Sequence, residues 1–142
     1  KKKKKGRWCL ADQGQLGGYI FLRPISRLGV GGQTIHEALT SEERFIPFET
    51  TEGEYSFINQ TRIVWVTMPL DEADSEGGYS SDSRSVRVFL QDGKMFGGHI
   101  IIATPEGKSR LSDQLNEIKD FMILRDSNRL VLININFVVR VV

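Results

Sequence analysis

The residue types that most often carry catalysis or bind metals are few and scattered in this chain. It contains two histidines, His36 and His99, and one cysteine, Cys9. A zinc site needs about four such ligands at short, regular spacings, and these three residues lie far apart in the sequence. No nucleophile elbow and no phosphate-binding loop motif is present. We therefore predict no metal site, no cofactor and no enzymatic activity.

Composition limits the class of protein. The chain has 142 residues, of which 39% are hydrophobic and 26% are charged, as in soluble globular proteins. No apolar run approaches the roughly 20 residues that a membrane-spanning helix needs. A single cysteine cannot form an internal disulfide, which favours a reducing compartment. We therefore expect a cytoplasmic protein that has no membrane partner.

Positive charge is concentrated at the beginning of the sequence. The formal net charge is +1, and Lys1 to Lys5 supply five positive charges, so the rest of the chain is net negative. A domain that binds nucleic acid usually presents a basic patch on its folded body. We predict a basic tail over residues 1–6, and the charge distribution argues against nucleic acid as the main partner.

Residues 86–102 have the pattern of a β-hairpin. Apolar side chains occupy every second position of the first strand, which is typical of a strand with one buried face. Asp92 and Gly93 predict a tight type I′ turn. Gly97 and Gly98 interrupt the return strand, where the missing Cβ atoms permit a bend or a close backbone approach.

The same hairpin pattern occurs eighty positions earlier. Asp12 takes the place of the turn aspartate, and Gly17 and Gly18 take the place of the double glycine. Later blocks repeat in the same order, and one of them matches Asn59 with Asn134. Chance similarity between two hairpins would not preserve the order of the blocks that follow. We therefore predict an internal duplication of the chain.

The duplication predicts the domain organisation. The copies cover residues 7–66 and 85–142, and an acidic flexible linker covers residues 67–84. Each copy is predicted as strand, strand, helix and three further strands, with helices over residues 34–43 and 111–119. The predicted fold is mainly β, with two tandem, closed or nearly closed small barrels related by a pseudo-two-fold axis. Closure would hide the edges of such short strands.

Short motifs in both copies resemble known small barrels. The pattern Val86-x-Val88-x-Leu90-x-Asp92-Gly93-x-x-x-Gly97 resembles the opening of Sm-like and SH3-like barrels. The pattern Asn134-x-x-x-Val138-Val139-x-Val141 resembles their last strands. The stretch Leu111-Ser112-Asp113-x-Leu115-Asn116, with Phe121, is similar to an uncharacterised family of bacterial domains that has no assigned function.

This resemblance implies the small-barrel fold rather than the RNA site of Sm proteins. Sm proteins bind RNA partly through an Arg-Gly pair before the last strand. No Arg-Gly pair stands at residues 134–137 or 59–62, and a helix is predicted between the second and third strands. The resemblance therefore supports the barrel architecture and leaves the ligand open.

Several apolar residues occupy strand positions that should face outward, because they alternate with the inward-facing apolar residues of the predicted strands. Among them are Phe21, Phe89 and Ile101, which give the same strands a second apolar face. Such a face needs a covering surface. Trp65, on the last strand of the first copy, is a further candidate contact. We expect these residues to be buried between the copies or against a second chain.

These observations favour a non-enzymatic protein-interaction or scaffold module. It would bind another protein, or a second copy of itself, through apolar barrel faces or exposed strand edges. One alternative is an Sm-like nucleic-acid-binding protein, in which the lysine tail contacts phosphates. A second alternative is a small-ligand sensor with a pocket between the copies.

Overall fold

Ten segments with alternating apolar residues form the strands of one antiparallel sheet in the computed structural model of the chain. The structure describes residues 2–23, 34–70, 84–101 and 110–142. The first half comprises β1 (Lys2–Leu10), β2 (Gly14–Leu22), α1 (Ile35–Leu39), β3 (Phe45–Thr50), β4 (Tyr55–Asn59) and β5 (Ile63–Pro69). The second half comprises β6 (Arg84–Leu90), β7 (Met95–Ile101), α2 (Leu111–Glu117), β8 (Phe121–Asp126), β9 (Arg129–Asn134) and β10 (Val138–Val141).

The two halves arrange their strands in the same order. Across the sheet the strands run β10-β6-β7-β8-β9-β5-β1-β2-β3-β4. Each half therefore places its fifth strand beside its first, and its fourth strand at the far end. The fourth strand of the second half, β9, pairs with the fifth strand of the first half, β5. We refer to this β5–β9 pairing as the junction.

Strand registers also agree between the halves. Val66 of β5 lies opposite Trp8 of β1, and Val141 of β10 lies opposite Val88 of β6. Each of these two ladders also skips one residue of the fifth strand, Val64 in β5 and Val139 in β10. In both halves a single turn of 3-10 helix, Gln60–Arg62 or Ile135–Phe137, precedes the fifth strand.

Two clusters of buried side chains fill the interior, and each one takes residues from the other half. The first-half cluster, which contains Trp8 and Phe48, includes Leu130 and Leu132 from β9. The second-half cluster is built on strands β6 to β9 and includes Val64 and Trp65 from β5. Because each cluster is completed across the junction, burial of apolar area ties the halves together.

The local signals for the first helix are confirmed, although the helix is shorter than predicted. The Thr34 hydroxyl accepts a hydrogen bond from the Glu37 amide at 3.0 Å, as a capping residue does. The helix ends at Leu39 rather than at residue 43. The hydroxyls of Thr40 and Ser41 donate to carbonyls of the last turn, at 2.9 Å and 3.0 Å, and this bonding competes with continuation of the helix.

The prediction of a mainly β chain is confirmed, but the sheet is open rather than closed into barrels. Closure would require β4 to pair with β5, or β9 with β10. Instead β5 pairs with β1 on one side and with β9 on the other, so both of its edges are occupied. Strands β4 and β10 are consequently the two ends of the sheet.

The basic tail predicted for residues 1–6 belongs to a strand from Lys2 onward. Lys2 pairs with Leu22, and the ladder continues without a break to Leu10 and Gly14. Lys4 is 3% exposed, and its neighbours Lys3 and Lys5 are exposed, which is the alternation of a strand. The nine residues of β2 supply a partner strand long enough to order the lysines. Of the predicted linker over residues 67–84, residues 71–83 lie outside the described residues.

The predicted type I′ turn of the second hairpin is wrong in its geometry. Gly93 has φ +88°, but Asp92 is not among the described residues that have positive φ. The Gly93 amide donates to the Leu90 carbonyl at 3.0 Å, and the Leu90 amide donates to the Lys94 carbonyl at 2.9 Å. The loop is therefore a three-residue turn in which glycine alone takes the left-handed conformation.

The close approach predicted at the double glycine is present at its second residue. A Cβ on Gly98 would lie 2.6 Å from the carbonyl oxygen of Arg125. A Cβ on Gly97 would meet no atom nearer than 3.9 Å. In the first hairpin, a Cβ on Gly18 would overlap the Phe48 ring, and a Cβ on Gly17 would lie 3.3 Å from the Thr51 methyl group.

We therefore expect Gly98→Ala to lower the free energy of unfolding by about 1–3 kcal/mol, because the added methyl group forces β7 and β8 apart. Gly97→Ala is the matched control and should change it by less than about 0.5 kcal/mol. Urea denaturation followed by tryptophan fluorescence measures both. Equal stabilities of the two variants would contradict the packing described at Gly98.

Candidate interaction site at the open edges of the sheet

Exposed apolar side chains concentrate at the two ends of the sheet. In the part of the chain that the structure describes, six large apolar side chains are exposed: Phe45 (56%), Tyr55 (59%), Phe57 (66%), Met95 (45%), Val139 (66%) and Val142 (49%). All except Met95 lie on a terminal strand, next to one in sequence, or on the strand paired with one. Monomeric soluble proteins rarely expose large contiguous apolar patches, and exposed patches of this kind often mark interaction sites.

An aromatic patch covers the outer face of β3 and β4. Phe21 stacks on Tyr55 with ring centroids 5.5 Å apart, and Tyr55 meets Phe57 edge to face at 6.3 Å. Phe45 lies on the same face of the sheet, because it pairs with Asn59 and alternates in phase with Phe57. We call Phe21, Phe45, Tyr55 and Phe57 the aromatic patch.

The outer backbone groups of β4 are directed away from the sheet. The Thr50 amide donates to the Glu54 carbonyl at 2.9 Å, and the Gln60 amide donates to the Arg44 carbonyl at 2.7 Å. In an antiparallel ladder, bonded and non-bonded pairs alternate. Phe57 lies three positions from each of the bonded residues Glu54 and Gln60, so it belongs to a non-bonded pair. Its amide and carbonyl therefore point to the open side, where they are able to pair with another strand.

Strand β10 presents a similar edge at the other end of the sheet. Val142 exchanges two hydrogen bonds of 2.8 Å with Arg87 of the neighbouring β6. The alternation of the ladder consequently turns the backbone groups of Val141 outward. Val139 is the residue skipped by the register between Val138 and Arg140, and its side chain is 66% exposed.

The junction shows what a covered edge looks like in this molecule. Leu130 and Leu132 of β9 lie opposite Met68 and Val66 of β5, and both leucines are 0% exposed. Asn134 completes the contact, because its Nδ2 donates to the carbonyl of Ile63 at 2.9 Å. The Asn134 side chain also accepts a hydrogen bond from the Asn136 amide, at 3.0 Å.

The four contact residues predicted from the sequence lie in different environments. Phe21 is half-buried in the aromatic patch. Ile101, 8% exposed, belongs to the first-half cluster although it lies on β7. Trp65 is 3% exposed and packs edge to face on Phe96. Phe89 is half-buried, with the Arg140 guanidinium 4.4 Å from its ring centroid. Phe21 and Phe89 therefore each contact a terminal strand, through Tyr55 of β4 and Arg140 of β10, whereas Ile101 and Trp65 lie in the interior clusters.

Sequence reasoning missed Tyr55 and Phe57, although a signal for them was present. Matching Asn59 with Asn134 and reading backward aligns Tyr55 with Leu130 and Phe57 with Leu132. Both members of each pair are apolar. Strand alternation alone does not show that Tyr55 and Phe57 are exposed while Leu130 and Leu132 are covered, because exposure depends on which strand lies alongside.

The potentially reactive side chains are dispersed. Burial raises the pKa of the Cys9 thiol, Asp92 raises it further, and Lys94 opposes the rise. Burial lowers the pKa of His36, whose Nε2 donates to the Phe121 carbonyl at 3.2 Å. Within the described residues, no group of three or more histidine, cysteine, aspartate or glutamate side chains is placed to hold a metal ion.

A cleft of about 1050 Å³ lies where the halves meet. Two of its polar contacts are already made within the protein. The Arg7 side chain donates to the Gln15 amide oxygen at 3.1 Å, and Arg129 forms a 3.1 Å ion pair with Asp126. Because these groups are engaged with each other, the cleft does not single out a ligand, and the small-ligand sensor stays a prediction.

Comparisons of the chain with protein-family models, curated proteins and solved structures found no match. None of the helices in the described ranges has the length and apolar character needed to cross a membrane.

The junction asparagine should contribute more to stability than its counterpart at the open edge. Asn134→Ala removes the turn contacts and the bond to Ile63 across the junction, whereas Asn59→Ala removes the bonds that the Thr61 amide and hydroxyl donate within its own turn. We expect Asn134→Ala to cost about 1–2 kcal/mol more, since it leaves a buried carbonyl without its donor. Urea denaturation at low protein concentration measures the difference, and equal costs would contradict this role.

Acidification should destabilise the fold through His36. Its folded-state pKa is lowered from an unfolded value of about 6.5. The unfolded chain therefore binds the proton first as the pH falls through that value, and stability is lost. We expect wild type to lose more free energy of unfolding than His36→Gln between about pH 7.5 and about pH 5.5. Parallel losses in the two proteins would show that His36 is not responsible.

Proposed function

We propose that this chain is a non-enzymatic protein-interaction or scaffold module that binds partner strands along the open edges β4 and β10. The observation that carries this proposal is the aromatic patch beside the outward backbone groups of β4. In strand addition, main-chain hydrogen bonds supply affinity and apolar side chains supply specificity. Both elements occur together here, since Tyr55 and Phe57 are 59% and 66% exposed on a strand whose outer edge is paired with no other described strand.

The proposal includes a duplicated small-barrel-type unit of the Sm-like or SH3-like kind. The shared strand order, the matching skipped residues and the equivalent asparagine-capped turns support two copies of one ancestral unit. A module of this kind would hold two binding edges at a defined separation, which suits a scaffold.

Strand edges of this kind are usually protected. Natural proteins place lysine or proline on them, or cover them with a helix or loop, in order to prevent unwanted pairing. Strand β4 reads Tyr-Ser-Phe-Ile-Asn and has neither residue. Its exposed aromatic rings would favour association, so the lack of protective residues supports a binding role.

Nucleic-acid binding is the second candidate, and one feature favours it. The guanidiniums of Arg87 and Arg140 lie 6.0 Å and 4.4 Å from the ring centroid of Phe89. Arginine beside an aromatic ring is a common element of single-strand binding sites. We rank it second because the net charge is only +1 and because the larger aromatic patch lies at the opposite end of the sheet.

A comparative pull-down tests the proposed function. Tagged wild type, Phe57→Glu and Val139→Glu are used as bait in lysate with and without nuclease treatment. Met95→Glu is the control for an exposed apolar residue outside the terminal strands. We expect wild type and the control to retain the same protein partner, and at least one edge variant to lose it. Retention by all four baits would contradict edge binding, and loss on nuclease treatment alone would favour the nucleic-acid candidate.

A further inference from the structure

The two open strands are the counterparts of the two strands that meet at the junction. Strand β4 holds the fourth position of the first half, as β9 does in the second. Strand β10 holds the fifth position of the second half, as β5 does in the first. The chain therefore carries one internal copy of a fourth-to-fifth strand contact, and it leaves one unused member of that contact at each end.

We propose that the partner of the β4 edge is the β10 edge of a second copy of this chain, joined as β9 is joined to β5. This inference rests on the proposed function, because it identifies the strand that the open edge receives. The contact would join the counterparts of two strands that already pair inside the molecule.

The junction predicts the register of the contact. Its pairs are Trp65 with Ile133, Val66 with Leu132 and Thr67 with Val131. Transferring each residue to the matching position of the other half gives the pairs between chains: Arg140 with Ile58, Val141 with Phe57 and Val142 with Ser56. The central pair joins the outward backbone groups of Phe57 and Val141, which is what an antiparallel ladder requires.

Burial supports the same pairing. Leu130 and Leu132 are 0% exposed because β5 covers their strand, and they fill the first-half cluster. Their counterparts Tyr55 and Phe57 are 59% and 66% exposed. The second-half cluster has no equivalent covering strand, and partly buried apolar residues such as Val138 and Val141 lie against it. The two rings would therefore pack where that cluster is incomplete.

A polar contact is also available at the corresponding place. Asn134 donates from Nδ2 to the Ile63 carbonyl across the junction. Asn59 has the same capping geometry, with its Oδ1 accepting from the Thr61 amide at 3.1 Å. In the proposed contact, the Asn59 Nδ2 donates to the Val138 carbonyl of the second copy, which is the position equivalent to Ile63.

This contact is heterologous, because each chain contributes a different edge. A chain bound through β4 still has a free β10, so the contact repeats from one chain to the next. Such contacts produce closed rings when the rotation between subunits closes, and filaments when it does not. The assembly is therefore larger than a dimer at high concentration.

The first test is the solution mass over a range of concentrations, measured by light scattering after size exclusion. Wild type and the control Met95→Glu should both exceed the 16.1 kDa of one chain. With increasing concentration their mass should reach a plateau if the chains form closed rings, and should continue to rise if they form filaments. Phe57→Glu and Val139→Glu should each remain at the mass of one chain, because each has lost one edge. Both altered side chains are 66% exposed, so the fold is retained.

Mixing the two edge variants distinguishes this pairing from other forms of association. Phe57→Glu retains a normal β10 edge, and Val139→Glu retains a normal β4 edge. An equimolar mixture should form a complex of two chains and nothing larger. Association of either variant by itself, or no complex in the mixture, would overturn the head-to-tail contact.

Disulfide trapping tests the register. In a Cys9→Ser background, a chain with Ser56→Cys is mixed with a chain with Val142→Cys and oxidised. These positions form a non-bonded antiparallel pair, whose Cα atoms lie about 4.5 Å apart, within the range for a disulfide. Cross-linking should be efficient for this pair and at least about tenfold slower with Val141→Cys, whose side chain faces the other side of the sheet. Equal rates would overturn the register.

The inference and the proposed function fail in different ways. If wild type remains one chain up to about 1 mM, a concentration that corresponds to only ~4 kcal/mol of binding free energy, the self-pairing is wrong. If an edge-dependent protein partner is nevertheless captured in the pull-down, the edge-binding function holds. If neither association nor edge-dependent capture is observed, both are wrong.

Discussion

The antiparallel pairing of β5 with β9 is the contact on which the rest of this structure depends. Strand β5 is the only connection between two sets of strands that otherwise pair among themselves in the described part of the chain. Its pairing joins ten strands into one sheet and inserts Leu130 and Leu132 into the interior of the other half. A unit of this size buries too little surface to be very stable alone. Sharing core residues across the junction offsets that limit.

The same contact also explains why the sheet stays open. A fifth strand that folded back on its own fourth strand would close each half and leave no edge. Here β5 is occupied on both sides, so among the described strands β4 pairs with β3 alone and its other edge stays open. The exposure of Phe57 and Val139 follows from this arrangement, because the equivalent residues at the junction, Leu132 and Val64, are buried. Function, in our proposal, follows from the unequal use of two similar halves.

Local chemistry supports this architecture at a few positions. Gly98 allows β7 to approach the Arg125 carbonyl where any side chain would collide. Asn134 satisfies a carbonyl of the neighbouring half while capping its own turn. The ordered lysines of β1 show that a strongly basic segment joins a sheet when a long partner strand is available. In each case a neighbouring strand decides what the residue does.

The sequence alone determined the period of the strands, both hairpins and the helix cap at Thr34, because these depend on residues close together in the chain. It did not determine closure, the strand character of residues 2–6 or the exposure of Tyr55 and Phe57. Alternation specifies which face a side chain occupies, and it does not specify which strand pairs alongside. Leu132 and Phe57 are both apolar, and only the tertiary structure decides that one is covered and the other exposed, because a strand edge is satisfied by backbone that is distant in sequence.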